Sequence, residues 1–193
     1  MARRPHALLR QDVSMILTRE AINKYRTSGE IIIEPFDPEQ LGTVSYRFRA
    51  GNIIARICTE LDTKEESVLD YQAIPSTGYL LEPGSFYLIP THELLGSTVF
   101  AQLIFGGRST GSAGLFIDVS ASLGHVGCVT HWTLELVPVR KLLLFPGQLL
   151  GQITFWRLAG EYAPYRGPYH QKVLPLPSIQ WMEHSAKEVE PKQ

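Results

Sequence analysis

The chain has 193 residues, of which 44% are hydrophobic and 19% are charged, an ordinary balance for a globular protein with a substantial core. The formal net charge of -1 lacks the basic excess of general nucleic-acid binders, which argues against nucleic acid as a partner. No run of about 18 apolar residues and no signal-peptide core is present. We therefore expect a cytoplasmic protein without a membrane partner.

The N-terminal part predicts an extension, a helix and then strands. Residues 1–14 contain scattered basic side chains without a pattern, which predicts a flexible extension. Thr18 is a plausible N-cap for a short helix that ends near Gly29 and in which Ala21, Ile22 and Tyr25 share a face. The apolar patterns that follow predict strands at 31–33, 44–48 and 53–58, and the charged residues 63–67 predict an exposed loop.

From residue 78 onward the pattern is that of a β protein. Residues 79–81 and 86–89 flank a Glu-Pro-Gly turn and predict a hairpin-like unit. Further short strands are predicted at 99–105, 115–119, 129–137, 142–144 and 148–158. Many short strands, with almost no helix predicted after residue 29, indicate a mainly β sandwich or barrel.

Two neighbouring segments carry the candidate chemistry. The first, 106–114, is rich in Gly and Ser, so that its backbone N–H groups and hydroxyls can face an anion, and Arg108 adds a positive fork. In the second, a period of two places His131, Thr133 and Glu135 on one strand face. An acid near an anion-binding loop indicates nucleotide chemistry.

Three catalytic motifs fail on their sequence context. Residues 107–111 match the G-x-S-x-G elbow of hydrolases, but a strand rather than the required helix is predicted after them. The Walker pattern lacks its Lys-Ser or Lys-Thr. Zinc deaminases need a Pro-Cys-x-x-Cys, whereas Cys58 and Cys128 stand alone, so no zinc site is expected and both thiols are predicted to be buried and reduced. His131 is expected to be a hydrogen-bonded strand histidine rather than a metal ligand.

Two short motifs stand out in the candidate segments, Gly107-Arg108-Ser109-Thr110 and Thr133-Leu134-Glu135-Leu136. They resemble the Gly-Arg-Ser-Ser loop and the strand with the catalytic glutamate of the dCTP deaminase branch of the dUTPase-like superfamily. Further similarities lie at 16–18, 33–41, 45–51, 81–88 and 146–152, and at Tyr169, Gln171 and 177–178. The resemblance implies one domain at 15–180, followed by a polar tail at 181–193.

The resemblance also implies a structure and an activity. The fold would be a distorted β-barrel or sandwich with a short N-terminal helix, assembled as a homotrimer with shared active sites. Zinc-free hydrolysis would convert dCTP to dUTP and ammonia, with Glu135 activating the water and Ser109 holding that water or the departing amine. Mg²⁺ would enter through the nucleotide phosphates, with no direct protein ligand. The implied nucleotide-binding residues are Arg108, Thr110, Asp118, Ala121, Gln152, Tyr165, Tyr169 and Gln171.

Four departures from the family pattern bear on the substrate. The loop after Arg108 is shorter and lacks a second arginine, Arg47 replaces an aspartate, and Pro168 replaces a lysine. His125 stands about where family members that also cleave dUTP carry an aspartate, so diphosphatase activity is expected to be weak or absent.

Two alternatives to dCTP deamination follow from these departures. One is an enzyme acting on a different pyrimidine nucleotide, either a monophosphate or a modified base. The other is a catalytically silent nucleotide-binding trimer. In all three cases the Tyr-, Pro- and Gly-rich segment 162–171 is hypothesised to close over the bound nucleotide.

Overall fold

The structure of the protein is a computed structural model that describes residues 15–57, 69–117, 122–167 and 175. Its helices are α1 (Arg19–Thr27), a 3₁₀ helix (Pro38–Gln40) and α2 (Arg108–Ala113). Its strands, in chain order, are β1 (Ile31–Glu34), β2 (Tyr46–Arg49), β3 (Ile53–Ile57), β4 (Leu69–Ala73), β5 (Tyr79–Leu81), β6 (Tyr87–Pro90), β7 (Leu94–Ser97), β8 (Ala101–Gly106), β9 (Leu115–Ile117), β10 (Leu123–Gly124), β11 (Val129–Thr130), β12 (Thr133–Pro138), β13 (Leu142–Leu144) and β14 (Leu149–Trp156).

Hydrogen-bonded ladders join the described strands into four sheets. The largest has the order β4-β3-β6-β12-β9, and the second has the order β10-β8-β14-β2. A three-stranded sheet (β1-β7-β11) and a pair (β13-β5) complete the set. The mainly β class is confirmed. Among the strands that the structure describes, the ladders stay separate, and none of these sheets closes on itself.

All four sheets contribute to one hydrophobic core. In strands such as β2 and β12 alternation turns one set of side chains inward, while β6 is buried at all four positions. Each large apolar side chain buried in this way stabilises the fold by about 1.5–3 kcal/mol. The core includes Phe48, Phe155, Tyr87, Leu134, Leu95, Leu81 and Leu144.

Helix α1 forms as predicted from its capping residue. The Thr18 hydroxyl accepts a hydrogen bond from the Ala21 N–H at 3.4 Å, which satisfies one of the free donors at the helix start. Ile22 is fully buried, and Ala21 and Tyr25 pack against the same core. Gly29 follows the helix with φ +82°, a left-handed conformation that glycine adopts without strain.

The predicted hairpin at 79–89 is wrong. Strand β5 pairs with β13, while β6 pairs with β3 and β12, so the two segments enter different sheets. The turn itself is present, because the Ser85 N–H donates to the Glu82 carbonyl and Gly84 has φ +78°. The local turn signal was correct, but contacts with distant strands decide the pairing.

The predicted strand 129–137 is divided in the structure. Strand β11 pairs with β7, and β12 pairs with β6 and β9. The chain changes partner at His131 and Trp132, where the Thr91 N–H donates to the Trp132 carbonyl. The predicted alternation holds within β12, in which Leu134 and Leu136 are buried and Glu135 is partly exposed. Strands β4, β7 and β10 were not predicted.

The segment predicted as a glycine-rich loop contains helix α2, and the expectation of almost no helix after residue 29 is wrong to that extent. The helix begins after Gly107 and ends at Gly114, which has φ +92°. Strand β8 therefore precedes this turn and helix α2 follows it. The sequence pattern disfavoured a hydrolase elbow because it predicted no helix here, and that reason is wrong. Ser109 nevertheless lies within the first turn of α2 and not at the sharp turn that an elbow needs.

Cys128 is buried with a free thiol, and burial raises its pKa to about 11. The prediction of a buried, reduced thiol is confirmed for this residue.

Several other predictions concern residues outside the described ranges. These are Cys58, the extension 1–14, the loop 63–67 and the tail 181–193. Within the part of the chain that the structure describes, there is no helix long and apolar enough to cross a membrane.

Candidate active site

Glu135 lies on the outer face of the five-stranded sheet, within a row of cross-strand partners. Leu88 of β6 is directly opposite Glu135, and the row continues through Ala55 to Tyr71. Directly paired residues point to the same face of a sheet. Ala55 and Leu88 are buried, and Glu135 is partly buried. The carboxylate therefore stands beside an apolar surface that restricts the approach of water.

The far end of this row contacts the C-terminal part of the chain. The Tyr71 hydroxyl donates a hydrogen bond to the Pro175 carbonyl at 2.9 Å, and Pro175 is buried. A residue from beyond the last strand is thus anchored at the edge strand β4, on the sheet that carries Glu135.

Arg108 and Ser109 are exposed at the start of α2, directly after β8. Helix α2 contacts β9, and β9 pairs with β12, with Ile117 opposite Leu136. One strand therefore separates this segment from the strand of Glu135. Thr110 differs from its neighbours in the same segment, because it is buried and its hydroxyl donates to the Leu150 carbonyl at 2.8 Å.

A groove of about 390 Å³ lies between the end of β8, α2 and β9. Its volume falls within the range of small-molecule sites. The exposed rings of Phe105 and Phe116 line it together with Gly106, Gly107 and Gly111. Apolar walls and glycine backbone suit a flat, partly polar ligand. Glu135 and Ser109 are not among the lining residues.

Two other predicted nucleotide-binding residues lie elsewhere in the fold. Gln152 is in β14 of the four-stranded sheet, opposite Phe105, and its side-chain oxygen accepts a hydrogen bond from the Ser45 hydroxyl at 3.0 Å. Tyr165 donates its N–H to the Val126 carbonyl at 2.7 Å, and its ring stacks on His125 with the centroids 5.4 Å apart. Those predicted site residues that the structure describes are thus divided among two sheets, α2 and the segment after β14, which contacts the turn before β11.

Asp118, Ala121, Tyr169 and Gln171 lie outside the described residues, as does Pro168. Their predicted roles, and the closure of 162–171 over a nucleotide, stay predictions. For the described start of that segment, the structure shows only the contacts of Tyr165 and its neighbour Pro164 with the 125–127 turn.

His131 has a hydrogen-bonding environment that fits the predicted structural role. Its Nδ1 lies 3.0 Å from the Thr91 carbonyl, and the ring is partly buried. The residue lies between β11 and β12 rather than inside one strand. Over the described ranges, no group of three or more His, Cys, Asp or Glu side chains is arranged to hold a metal ion.

The sequence patterns did not indicate a buried ion pair between Arg49 and Glu93. The Arg49 Nε donates to Glu93 Oε1 at 2.6 Å, and the Arg49 backbone N–H donates to Oε2 at 2.9 Å. Glu93 is fully buried, and its hydrogen bond raises the pKa of the Arg49 guanidinium. The signal available in the sequence was a single glutamate directly before Leu94 and Leu95, a few residues after Leu88 and Ile89.

This ion pair is linked to the start of β12. The Thr91 hydroxyl donates to the Glu93 carbonyl at 2.7 Å and accepts a hydrogen bond from the Trp132 N–H at 2.9 Å. Strand β2, the segment between β6 and β7, and Trp132 directly before β12 are thus held together, three residues before Glu135.

Comparisons with known proteins identify the family. The dCTP deaminase-like family model matches residues 16–158, and the chain belongs to this family. A "dCTP deaminase, dUMP-forming" of Clostridium botulinum is 34% identical over 171 residues, covering 88% of this chain and 98% of the relative. The protein of the same name from Hathewaya histolytica is 35% identical, with coverages of 86% and 96%. A "dCTP deaminase" of Rhodopirellula baltica is 36% identical, with coverages of 76% and 74%.

A solved structure agrees at the level of the fold. The crystal structure of 2'-deoxycytidine 5'-triphosphate deaminase from Agrobacterium tumefaciens has a TM-score of 0.59 and 22% identity. The match covers 74% of this chain and 48% of that chain, so this chain spans about half the length of that protein. At this identity the likeness shows the fold alone.

Proposed function

We propose that this protein catalyses the hydrolytic deamination of dCTP to dUTP and ammonia. The observation that carries the proposal is the position of Glu135, a partly buried carboxylate beside the apolar pair Leu88 and Ala55, on a strand that only β9 separates from α2. Membership of the dCTP deaminase-like family and the names of the relatives support the same reaction.

The proposed reaction needs one group that accepts and then returns a proton. Glu135 takes a proton from a water molecule, and the resulting hydroxide adds to C4 of the cytosine ring. The carboxylic acid then gives the proton to N4, the C4–N4 bond breaks, and ammonia leaves. The exposed hydroxyl of Ser109 donates a hydrogen bond to the attacking water or accepts one from the departing amine.

The phosphates require positive charge and donors. Arg108 is exposed at the start of α2, and its planar guanidinium matches two phosphate oxygens at once. Magnesium belongs to the substrate in this proposal, as the counter-ion of the triphosphate.

A second product is a specific alternative, because several relatives are named "dUMP-forming". Formation of dUMP needs a second hydrolysis that releases pyrophosphate. His125, which replaces an aspartate of the family pattern, is exposed and stacked on Tyr165. An imidazole in this place does not supply the carboxylate that the resemblance associates with the second hydrolysis, and we favour dUTP as the main product.

An assay of the purified protein with Mg²⁺ and dCTP, CTP, dCMP or 5-methyl-dCTP tests the reaction. We expect ammonia and dUTP from dCTP, with little pyrophosphate, and we expect His125→Asp to raise the pyrophosphate released from dUTP. Pyrophosphate equal to ammonia in the parent protein would establish the dUMP-forming alternative. Turnover only of another nucleotide, or binding without turnover, would support the other two alternatives and end the proposal.

We further propose a homotrimer, located in the cytoplasm, with active sites shared between subunits. The distribution of Glu135, Arg108, Gln152 and Tyr165 over separate parts of one chain supports sharing, because subunit contact brings such regions together.

Complementation tests the shared site. Light scattering is expected to give about three times the chain mass of 21.7 kDa. When the inactive Glu135→Gln and Arg108→Ala proteins are mixed, unfolded and refolded together, we expect activity to return, because mixed trimers contain some sites with both native residues. A monomer, or mixtures as inactive as their components, would contradict the shared site.

A further inference from the structure

The Leu150 carbonyl accepts two hydrogen bonds from the segment that contains Arg108 and Ser109. The Gly107 N–H donates to it at 2.7 Å, and the Thr110 hydroxyl donates to it at 2.8 Å. Thr110 is only 8% exposed. The two donors lie on either side of Arg108 and Ser109, so one acceptor on β14 anchors both ends of this short stretch.

The surrounding backbone is arranged to bring this carbonyl close. Gly107 is the residue after β8, and its hydrogen bond continues the β8–β14 ladder by one rung. On the other side of β14, the register with β2 shifts between Leu149 and Gly151, which makes Leu150 the extra residue of a β-bulge.

The backbone next to the anchor is closely packed at two glycines. A Cβ on Gly151 would lie 2.2 Å from the Phe105 carbonyl oxygen and 2.4 Å from the Phe48 ring. A Cβ on Gly107 would lie 3.1 Å from the Leu150 oxygen. The close approach of β14 to β8 and β2 therefore requires glycine at 151, while the backbone at Gly107 is packed tightly against the carbonyl that it donates to.

We infer that Thr110 is a positioning residue for this reaction, and that it acts through Leu150 by fixing Arg108 and Ser109. The inference rests on the proposed function, and it replaces the direct nucleotide contact implied by the resemblance. A buried hydroxyl that is already donating to a backbone carbonyl has no second proton to donate to a phosphate oxygen. Its contribution to catalysis is the placement of its exposed neighbours.

Substitutions at Thr110 distinguish a role in placing Arg108 and Ser109 from a direct contact with the nucleotide. Thr110→Val keeps the shape of the side chain and removes the donor, while Thr110→Ser keeps the donor. In the nucleotide-free protein we expect amide hydrogen exchange in 107–113 to become about 3- to 10-fold faster in the Val variant, as the loss of one buried hydrogen bond implies. We expect kcat/KM for dCTP to fall about 10- to 100-fold, with kcat lowered as well as KM raised.

Two controls accompany this measurement. Thr110→Ser is expected to recover most of both losses. Thr154→Val also removes a buried threonine hydroxyl, but this one is in β14 and away from α2. Its oxygen lies 3.5 Å from the Leu103 carbonyl oxygen. This substitution is expected to lower stability without faster exchange in 107–113 and without loss of kcat.

Each combination of results supports or refutes the positioning role of Thr110. If the Val variant loses kcat/KM while exchange in 107–113 is unchanged, Thr110 contacts the nucleotide directly and the positioning role is wrong. If exchange accelerates but kcat/KM stays at the parental value, the anchor does not serve catalysis. A parent protein that does not deaminate dCTP refutes the proposed function instead, and unchanged exchange in its Val variant would still refute the anchor.

Discussion

Replacement of Glu135 by glutamine is expected to abolish nearly all deamination while nucleotide binding survives. Glutamine keeps the size of the side chain and its ability to hydrogen bond, but it cannot take a proton from water. General acid–base catalysis contributes about 10²–10⁴-fold, and a group that acts first as base and then as acid should reach the upper part of that range. We therefore expect kcat to fall by about 10³-fold or more, measured as ammonia release, with the Kd for dCTP changed less than about tenfold.

The matched control is Glu20→Gln, which removes a carboxylate from an exposed position in α1. It is expected to keep the parental kcat. Because Glu135 is on the outer face of β12, its loss should leave the core intact, and thermal unfolding of the variant should confirm this. A Glu135→Gln protein that deaminates dCTP as fast as the parent would refute the assigned role.

Loss of Arg49 is expected to have the largest effect on stability. Arg49→Met leaves the fully buried Glu93 carboxylate without its guanidinium partner. Removing one partner of a buried ion pair costs about 3–5 kcal/mol, because the remaining charge is desolvated and uncompensated. The double variant Arg49→Met/Glu93→Gln should be more stable than Arg49→Met alone, since the buried charge has been removed as well.

Urea unfolding at one fixed chain concentration measures these differences. Lys141→Met is the control, because Lys141 and Glu82 form an ion pair 3.3 Å long with side chains that are 68% and 37% exposed. It is expected to cost less than about 1 kcal/mol. If Arg49→Met unfolds at the same urea concentration as the parent, the pair does not hold β2 to the segment before β7. Should that variant fail to accumulate as folded protein, Glu93→Gln provides the same comparison.

Local patterns predicted those elements whose cause is local. The N-cap at Thr18, the amphipathic face with Ile22 and the alternation around Glu135 follow from neighbouring residues alone, and each was confirmed. The order of short motifs was also enough to indicate the dCTP deaminase-like family, which the family model confirms. The roles of the individual site residues stay predictions, because only binding and activity can test them.

Tertiary contacts decided the rest. Local patterns alone predicted a mainly β protein, a capped first helix and Glu135 on the strand face opposite Leu134 and Leu136, since capping and period-two alternation operate over a few residues. Only the fold decided that β5 and β6 enter different sheets, that Glu93 is buried against Arg49, and that α2 is anchored on Leu150. The Arg49–Glu93 pair joins residues 44 positions apart along the chain, and the Thr110–Leu150 hydrogen bond joins residues 40 positions apart. No local sequence pattern contains either pair.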